Sequence, residues 1–324
     1  MAGLFFGNRE GYYFYGIGLK NANVRLCFAN RTYKLMHIID VTTDTWGWLV
    51  MSKISERVRH VKIRDGYCLI CGEFGTLSID HVPPQGSITV TKVEQRHIME
   101  MMGAGAKSIK GVPSTNGSKF RTICSDCNSN ILGGNDGEVA DANKKLTSKI
   151  RNYFQNPTSP YNTVSIDINP IKYARAMIGH ILSATSVTEC KEPPQKSPYF
   201  DPLKKFVLGD DYAITKTHDI YYWFYPYDRH LSAKCVSFFN QGHSTVLSLL
   251  SFFPIAFLVT PKDEGIYPTH AARFDFSSSK LVLDLSSYNI HFSDFPFSEL
   301  KGNQMCLLND CQTIISYPIK NQEI

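Results

Sequence analysis

Apolar residues recur at helical spacing in two parts of the chain. After Asp136-Gly137, one repeat predicts a helix over residues 138–154. Asn169-Pro170 supplies an N-cap and a first-turn proline for a second helix, on which His180 is expected to be an ordinary packed or surface residue. The apolar positions are Val139, Ala142, Leu146, Ile150 and Tyr153 in the first helix, and Ile171, Ala174, Ile178, Ile181 and Leu182 in the second.

Short apolar and aromatic runs predict strands in the second half of the chain. These runs are Ile220–Tyr225, Leu231–Phe239, Val246–Phe253, Ile255–Thr260 and Leu281–Leu285. The turn residues Pro226–Arg229 predict that the first two strands pair as a hairpin. The aromatic residues 221–225 fit either a buried sheet face or a surface that stacks nucleobases, and alternation along a strand favours the buried face.

Changes in composition divide the chain into three segments. Residues 51–155 hold the paired cysteines, and the proline-rich residues 156–160 indicate a linker. Residues 161–324 are expected to form a separate α+β domain that selects substrate, binds a partner protein or forms a homo-oligomer. Residues 1–50 are either an N-terminal extension of unknown role, with Met51 as the true start, or a small β-rich subdomain.

The overall composition is that of a folded protein. The chain has 324 residues, 43% hydrophobic and 19% charged, which excludes disordered, collagen-like and coiled-coil classes. The longest apolar stretch, Thr245–Thr260, is shorter than the roughly 20 residues of a membrane-spanning helix. The N-terminus lacks the pattern of a secretory signal, so we expect a cytoplasmic protein without a membrane partner.

The positive charge is concentrated in the middle of the chain. Residues 51–154 contain 15 basic and 10 acidic residues, and this excess accounts for a net charge of +5 over the whole chain. Residues 155–324 are slightly acidic. A polyanionic partner is therefore expected at the middle segment.

Four of the nine cysteines form two C-x-x-C pairs, Cys68/Cys71 and Cys124/Cys127. Two residues between cysteines allow both thiolates to reach one ion across a tight turn, and Gly72 relieves the backbone there. Two such pairs complete a tetrahedral site for structural Zn²⁺. A redox C-x-x-C motif or a coincidence of spacing are the alternatives.

Between and after the cysteine pairs lie residues that could bind a hard metal ion. Asp80 and His81 are consecutive on a predicted strand, so they face opposite sides and can divide metal binding and water contact between them. Asn128 offers a neutral oxygen, as does Asn130 on the same turn. One carboxylate, one amide oxygen and waters make the shell that Mg²⁺ prefers, and Mn²⁺ is the alternative ion.

C-x-x-C, an Asp-His-x-x-Pro strand and C-x-x-C-Asn together resemble the HNH endonucleases of the ββα-metal class that carry a zinc knuckle. The resemblance covers roughly residues 60–135. It implies a zinc-stapled ββα-metal HNH module, with His81 as general base and Asp80 and Asn128 as ligands of the catalytic metal. It also implies DNA as substrate, in restriction, phage defence or a mobile element.

The sequence departs from the family pattern at two points. The family has an asparagine that braces the catalytic loop shortly before the second cysteine pair. Here Asn116 is the nearest candidate, and a turn explains it equally well. An insertion also predicts a helix over residues 91–102 that carries His97, followed by a glycine-rich segment at 103–107 that either clamps a phosphate backbone or is a solvated loop.

Two functions are favoured by the sequence, and a structural zinc protein with no nucleic-acid role is the remaining alternative. The first is a metal-dependent HNH endonuclease that contacts DNA phosphates through Lys107, Lys110, Lys119 and Arg121. The second is a catalytically inactive, zinc-stapled nucleic-acid-binding module. The presence of Asp80, His81 and Asn128 together favours the enzyme.

Overall fold

The computed structural model describes residues 63–88, 92–97, 112–156, 160–240, 243–264, 268, 270–286 and 313–319, together with the backbone of strands at 6–7, 12–18, 24–30 and 305–309. The strands are β1 (Phe6–Gly7), β2 (Tyr12–Gly18), β3 (Val24–Asn30), β4 (Asp65–Tyr67), β5 (Phe74–Val82), β6 (Lys92–His97), β7 (Val112–Thr115), β8 (Ser118–Cys124), β9 (Thr163–Asp167), β10 (His218–Phe224), β11 (His230–Asn240), β12 (His243–Phe252), β13 (Ile255–Pro261), β14 (Ala272–Arg273), β15 (Lys280–Asp284), β16 (Met305–Asn309) and β17 (Thr313–Pro318). The helices are α1 (Gly133–Gln155), α2 (Pro170–Ser183) and α3 (Phe200–Val207), with 3-10 turns at Gln85–Ser87 and Val187–Lys191 and a π-helical turn at Cys127–Leu132.

The strands form three antiparallel sheets. The largest has the order β1-β2-β3-β16-β11-β12-β13-β10-β14, and β17 joins β11 to β6, which in turn pairs with β7. The second contains β15 and β9, and the third contains β4, β5 and β8. The mixture of helices and sheets confirms the α+β class. Strands β1, β2 and β3 from the first fifty residues join the largest sheet through the pairing of β3 with β16.

Both helices predicted from the apolar repeats are present. Helix α1 begins five residues before its predicted start, since it continues directly from the π-helical turn. Helix α2 begins as predicted, because the Asn169 side chain accepts a hydrogen bond from the Lys172 backbone N–H and Pro170 occupies the first turn. The apolar stripe of α2 is buried, including Ala174, Ile178 and Ile181.

One continuous hydrophobic core contains residues from both the cysteine-bearing segment and the C-terminal segment. Leu77 and Phe120 from the small sheet lie in the same buried cluster as Met177 of α2 and Phe257 of β13. The clustering follows from the two helices, since α1 and α2 pack against each other and α2 also contacts β8. The division into domains at residues 155 and 161 stays a prediction. The hydrophobic core contains residues from both sides of that division.

The aromatic residues of β10 and the Tyr225 that follows it belong to the core rather than to an exposed stacking surface. Tyr222 and Phe224 face the large core, and Tyr221, Trp223 and Tyr225 face a second buried cluster on the other side of the sheet. None of these five side chains is more than 9% exposed. The alternation along one strand therefore serves two buried faces.

The predicted hairpin between the strands at 220–225 and 231–239 is wrong. Strand β10 pairs with β13 and β14, whereas β11 pairs with β12, β16 and β17. The turn at 226–229 reverses the chain but does not choose the partner strand. The tight connection between β12 and β13 places β13 next to β10, with Tyr222 opposite Phe257.

The predicted helix over 91–102 is also wrong where the structure describes it. Residues 92–97 form β6, which hydrogen-bonds to β17 on one side and β7 on the other, so His97 lies on a strand. Val93 and Gln95 are buried while Lys92 is exposed, which is the two-residue period of a strand. Residues 98–102 lie outside the described part.

Acidification is expected to destabilise the fold through His230 at the start of β11. Burial, partly opposed by Asp228, lowers the pKa of His230 to about 4, and neither ring nitrogen has a hydrogen-bond partner among the described residues. The unfolded ring titrates near 6.5, so the unfolded chain binds more protons between pH 6.5 and 4. The free energy of unfolding is therefore highest above pH 6.5 and falls by about 3 kcal/mol as the pH falls from 6.5 to 4.

Urea unfolding of the wild type and of His230→Phe at pH 7 and pH 4.5 measures this contribution. The variant keeps a buried ring without its titration, so its free energy of unfolding should fall less than that of the wild type. Equal losses in the two proteins would contradict the assignment to His230.

Candidate functional site

Cys68, Cys71, Cys124 and Cys127 converge on one point between the start of β5 and the end of β8. Their four sulfur atoms all lie within 4.8 Å of one another, and the Sγ atoms of Cys71 and Cys124 are 3.9 Å apart. A tetrahedral site with Zn–S bonds of about 2.3 Å requires sulfur atoms about 3.8 Å apart. The cluster could therefore hold a metal ion such as zinc, as the spacing predicted.

The backbone around the cysteines is shaped for this convergence. Gly72 adopts a positive φ of 81° and its N–H donates to the Cys68 carbonyl, which closes the first knuckle. The Leu69 N–H donates to the Thr122 carbonyl of β8 at 3.0 Å, which joins the first knuckle to the second. In the second knuckle the Cys127 N–H points at the Cys124 sulfur.

The pKa values of the cysteine thiols are shifted because the four groups lie close together. A hydrogen bond from Cys127 chiefly lowers the pKa of Cys68 to about 5, whereas burial raises the pKa of Cys71 to about 11. The pKa of Cys127 is raised by its hydrogen bond with Cys68 and by burial. Four thiolates this close repel one another without a cation between them, and a bound Zn²⁺ removes that conflict.

Strand β5 carries Asp80 and His81 away from the cysteine cluster. Asp80 lies opposite Phe120 on the buried face, and His81 lies opposite Lys119 on the other face, as the strand period predicted. The register shifts just before them, where Arg121 and Thr122 of β8 oppose Ile79 alone. Such a bulge increases the local twist of a strand pair and redirects its side chains.

His81 is half-buried beside basic and polar groups. Burial, followed by the positive charge of Lys119, lowers its pKa below the ordinary histidine value, against the opposing effect of Asp80. The neutral ring is therefore favoured. The Gln85 side-chain amide approaches the ring to 3.4 Å, from the turn that follows β5.

Asp80 is bound by residues of α2. Its Oδ2 accepts a hydrogen bond of 2.5 Å from the Ser183 hydroxyl and lies 3.1 Å from Nδ1 of His180. The other ring nitrogen, Nε2 of His180, lies 2.9 Å from Oδ1 of Asp136 at the start of α1. His180 is fully buried, yet the two carboxylates outweigh that burial and raise its pKa to about 10.

Asn128 is fixed against the strand that carries Asp80 and His81. Its Nδ2 donates to the Ile79 carbonyl at 2.8 Å and to the Ser78 hydroxyl at 2.9 Å. This leaves the amide oxygen as an acceptor. Asn130 instead donates to Asp126 on the exposed side of the π-helical turn, so Asn128 is the residue that faces β5.

The turn interpretation of Asn116 agrees with the structure. Asn116 and Gly117 both have positive φ, at 61° and 78°, between β7 and β8. This backbone conformation is typical of an Asn-Gly turn. Asn128 contacts the backbone of β5 at Ile79, a contact that the HNH pattern would give to an asparagine placed before the second cysteine pair.

Two of the four predicted DNA-contacting residues are on the face of β8 next to His81. Lys119 is partly exposed and lies directly across from His81, and within the described residues it makes no ion pair. Arg121 donates from Nη1 to the Leu77 carbonyl at 3.2 Å, so part of its guanidinium is held by β5. Lys107 and Lys110 lie outside the described residues.

Sequence reasoning missed His180, Asp136 and Ser183 as members of this site. His180 is 100 residues from Asp80, on a helix that the sequence places in the separate C-terminal segment. The available signal is a histidine and a serine three positions apart on the otherwise apolar buried face of this helix. Buried polar side chains usually have a partner, and here the partner is a carboxylate of β5.

Comparison with known proteins adds no assignment: no family model, curated protein or solved structure matches this chain. Among the described residues, no helix is long and apolar enough to cross a membrane.

Proposed function

We propose that this chain is a metal-dependent endonuclease of HNH type that hydrolyses phosphodiester bonds in DNA. The observation that carries the proposal is the arrangement of β5, β8 and α1. Two antiparallel strands and the helix that follows them hold His81 on the accessible face, Asp80 behind it and Asn128 against the same strand. The four-cysteine cluster lies at the other end of this unit.

His81 is placed to act on a water molecule. It is partly exposed, and its lowered pKa favours the neutral ring that can accept a proton. Lys119 lies beside it and supplies a positive charge for the phosphate. A substrate phosphate held at Lys119 is therefore next to the ring that takes the proton from the attacking water.

The residues behind His81 fit a hard divalent cation. Both hydrogen bonds of Asp80 found in the described residues end on Oδ2, which leaves its carboxylate Oδ1 available, and the amide oxygen of Asn128 supplies a neutral ligand. This set of oxygens suits Mg²⁺ or Mn²⁺. When bound, such an ion would neutralise phosphate charge and stabilise the leaving oxygen.

A second function is favoured by the way Asp80 is held. Its carboxylate is almost fully buried and already pairs with His180 and Ser183. If Asp80 binds His180 and Ser183 in place of a divalent cation, the protein is a zinc-stapled DNA-binding module without catalysis. Such a module would bind DNA through the same face and leave it intact.

Cleavage assays separate the two functions. Full-length protein is incubated with duplex, single-stranded and modified DNA and with RNA, each with Mg²⁺, Mn²⁺ or a chelator that spares the zinc. The endonuclease proposal expects metal-dependent strand breaks in at least one DNA substrate. Tight DNA binding with every substrate intact would support the binding module instead.

Lys119 is expected to contribute one phosphate contact. Lys119→Gln should lower the slope of log affinity against log salt concentration by about 0.9, because each neutralised phosphate releases condensed counterions. Lys280→Gln is the matched control, since Lys280 is also exposed but pairs with Asp167 on the sheet of β15 and β9. Fluorescence anisotropy over a range of salt concentrations gives both slopes. An unchanged slope for Lys119→Gln would show that Lys119 does not contact a DNA phosphate.

A further inference from the structure

The unusual feature of the region behind His81 is a row of three ionisable groups, two of them buried and the third partly exposed. His180 lies between two carboxylates, with Nδ1 at 3.1 Å from Asp80 and Nε2 at 2.9 Å from Asp136. The histidine and Asp80 are buried, and the Asp136 side chain is 28% exposed. Both ring nitrogens therefore face negatively charged oxygens.

The position of the His180 ring is fixed by the seating of α2. A Cβ atom added at Gly179 would lie 2.1 Å from Cδ2 of Leu132, so the helix approaches the π-helical turn as closely as glycine allows. At the end of α2, the Ser183 carbonyl accepts a hydrogen bond of 2.6 Å from the Thr122 hydroxyl of β8. The Gly179 contact holds α2 against the π-helical turn one residue before His180, and the Ser183 contact holds it against β8 three residues after His180.

The arrangement restricts the carboxylate of Asp80. An aspartate on a strand can rotate about its last torsion, which is broad for a terminal sp³–sp² bond. Here two donors from α2, the His180 ring and the Ser183 hydroxyl, converge on Oδ2 alone. Only one orientation satisfies both donors, so the direction of Oδ1 is also determined.

Packing alone does not explain this row. Taking His180 and Asp80 out of water is costly, and well-packed apolar side chains of similar volume commonly give equal or greater stability. The two carboxylates come from the cysteine-bearing unit, and the imidazole comes from a helix beyond it. We therefore assign to the row the role of orienting the Asp80 carboxylate, rather than that of stabilising the core.

We propose that His180 is a positioning residue for the catalytic centre: braced by Asp136, it orients the Asp80 carboxylate toward the divalent cation. The inference rests on the proposed function. It makes α2 a required part of the centre, although this helix lies outside the segment of the HNH resemblance. Outer partners of this kind commonly change metal affinity or activity by about 10- to 100-fold when they are replaced.

The test is Mn²⁺ binding to the zinc-loaded full-length protein, followed by electron paramagnetic resonance and independent of cleavage. His180→Leu should weaken Mn²⁺ binding by about 10-fold or more. His180→Gln, whose amide can still donate to Asp80, should restore part of the affinity. Asp136→Asn changes a partly exposed residue that is expected to fold normally, and it should weaken binding by a smaller factor. Zinc content and the unfolding midpoint are measured for each variant.

The possible outcomes distinguish the positioning role of His180 from the proposed endonuclease function. If His180→Leu and Asp136→Asn bind Mn²⁺ as the wild type does, the positioning role is wrong and the proposed function is unaffected. If the wild type binds no Mn²⁺ and cleaves no DNA, both are wrong. If His180→Leu fails to fold, Asp136→Asn and His180→Gln decide: wild-type affinity in both overturns the positioning role.

Discussion

Replacing Cys124 by serine is expected to abolish zinc binding at the four-cysteine cluster and to unfold the unit built from β4, β5, β8 and the π-helical turn. Structural zinc in small modules contributes apparent binding free energies of about 10–16 kcal/mol, which is as large as the whole stability of a typical domain. The first knuckle is joined to β8 by the Leu69–Thr122 hydrogen bond, so loss of one ligand should expose both knuckles. Metal analysis and amide hydrogen exchange measure the two effects.

Cys190→Ala is the matched control for this experiment. Cys190 is buried nearby and points its thiol at the same Thr122 carbonyl, but it is outside the group of four. The control should keep one equivalent of zinc and normal exchange protection. A wild-type protein that folds normally without zinc would contradict the structural role of the cluster.

Replacing His81 by alanine is expected to reduce the single-turnover cleavage rate by about 10²- to 10⁴-fold, the usual contribution of a general base. DNA affinity and zinc content should stay unchanged, because the ring lies on the accessible face and contributes neither to the core nor to the cysteine cluster. Single-turnover assays under saturating metal compare the variant with the wild type.

Thr76→Ala is the control on the same strand. Thr76 is exposed, its hydroxyl donates a hydrogen bond to Asp65, and it lies on β5 three residues before Ile79 at the bulge. It should cleave at the wild-type rate. Wild-type activity in His81→Ala would show that the roles assigned on β5 are wrong.

The sequence predicts those parts of the site that depend on interactions between residues close together in the chain. The two C-x-x-C pairs predict the sulfur cluster because a ligand pair two residues apart needs only one tight turn. The opposite orientation of Asp80 and His81 follows from the two-residue period of a strand. Helix α2 follows from its cap and apolar stripe.

The parts that the sequence does not predict depend on pairings between distant elements. Residues 92–97 form a strand because β17, more than 200 residues later, supplies its hydrogen bonds, and no local pattern reveals that partner. The turn at 226–229 shows where the chain reverses, but the β12–β13 pair decides which strand lies beside β10. His180 meets Asp80 for the same reason: α2 packs on α1 and β8, and only that packing brings the ring to the carboxylate.

The central claim is that this unit cleaves phosphodiester bonds with the help of a divalent cation. The most direct measurement is conversion of supercoiled plasmid to open-circular or linear DNA by zinc-loaded full-length protein, with and without Mg²⁺ or Mn²⁺. We predict strand breaks only when the added cation is present, and none with His81→Ala prepared in parallel. Intact plasmid under every condition, or equal cleavage by His81→Ala, would contradict the account.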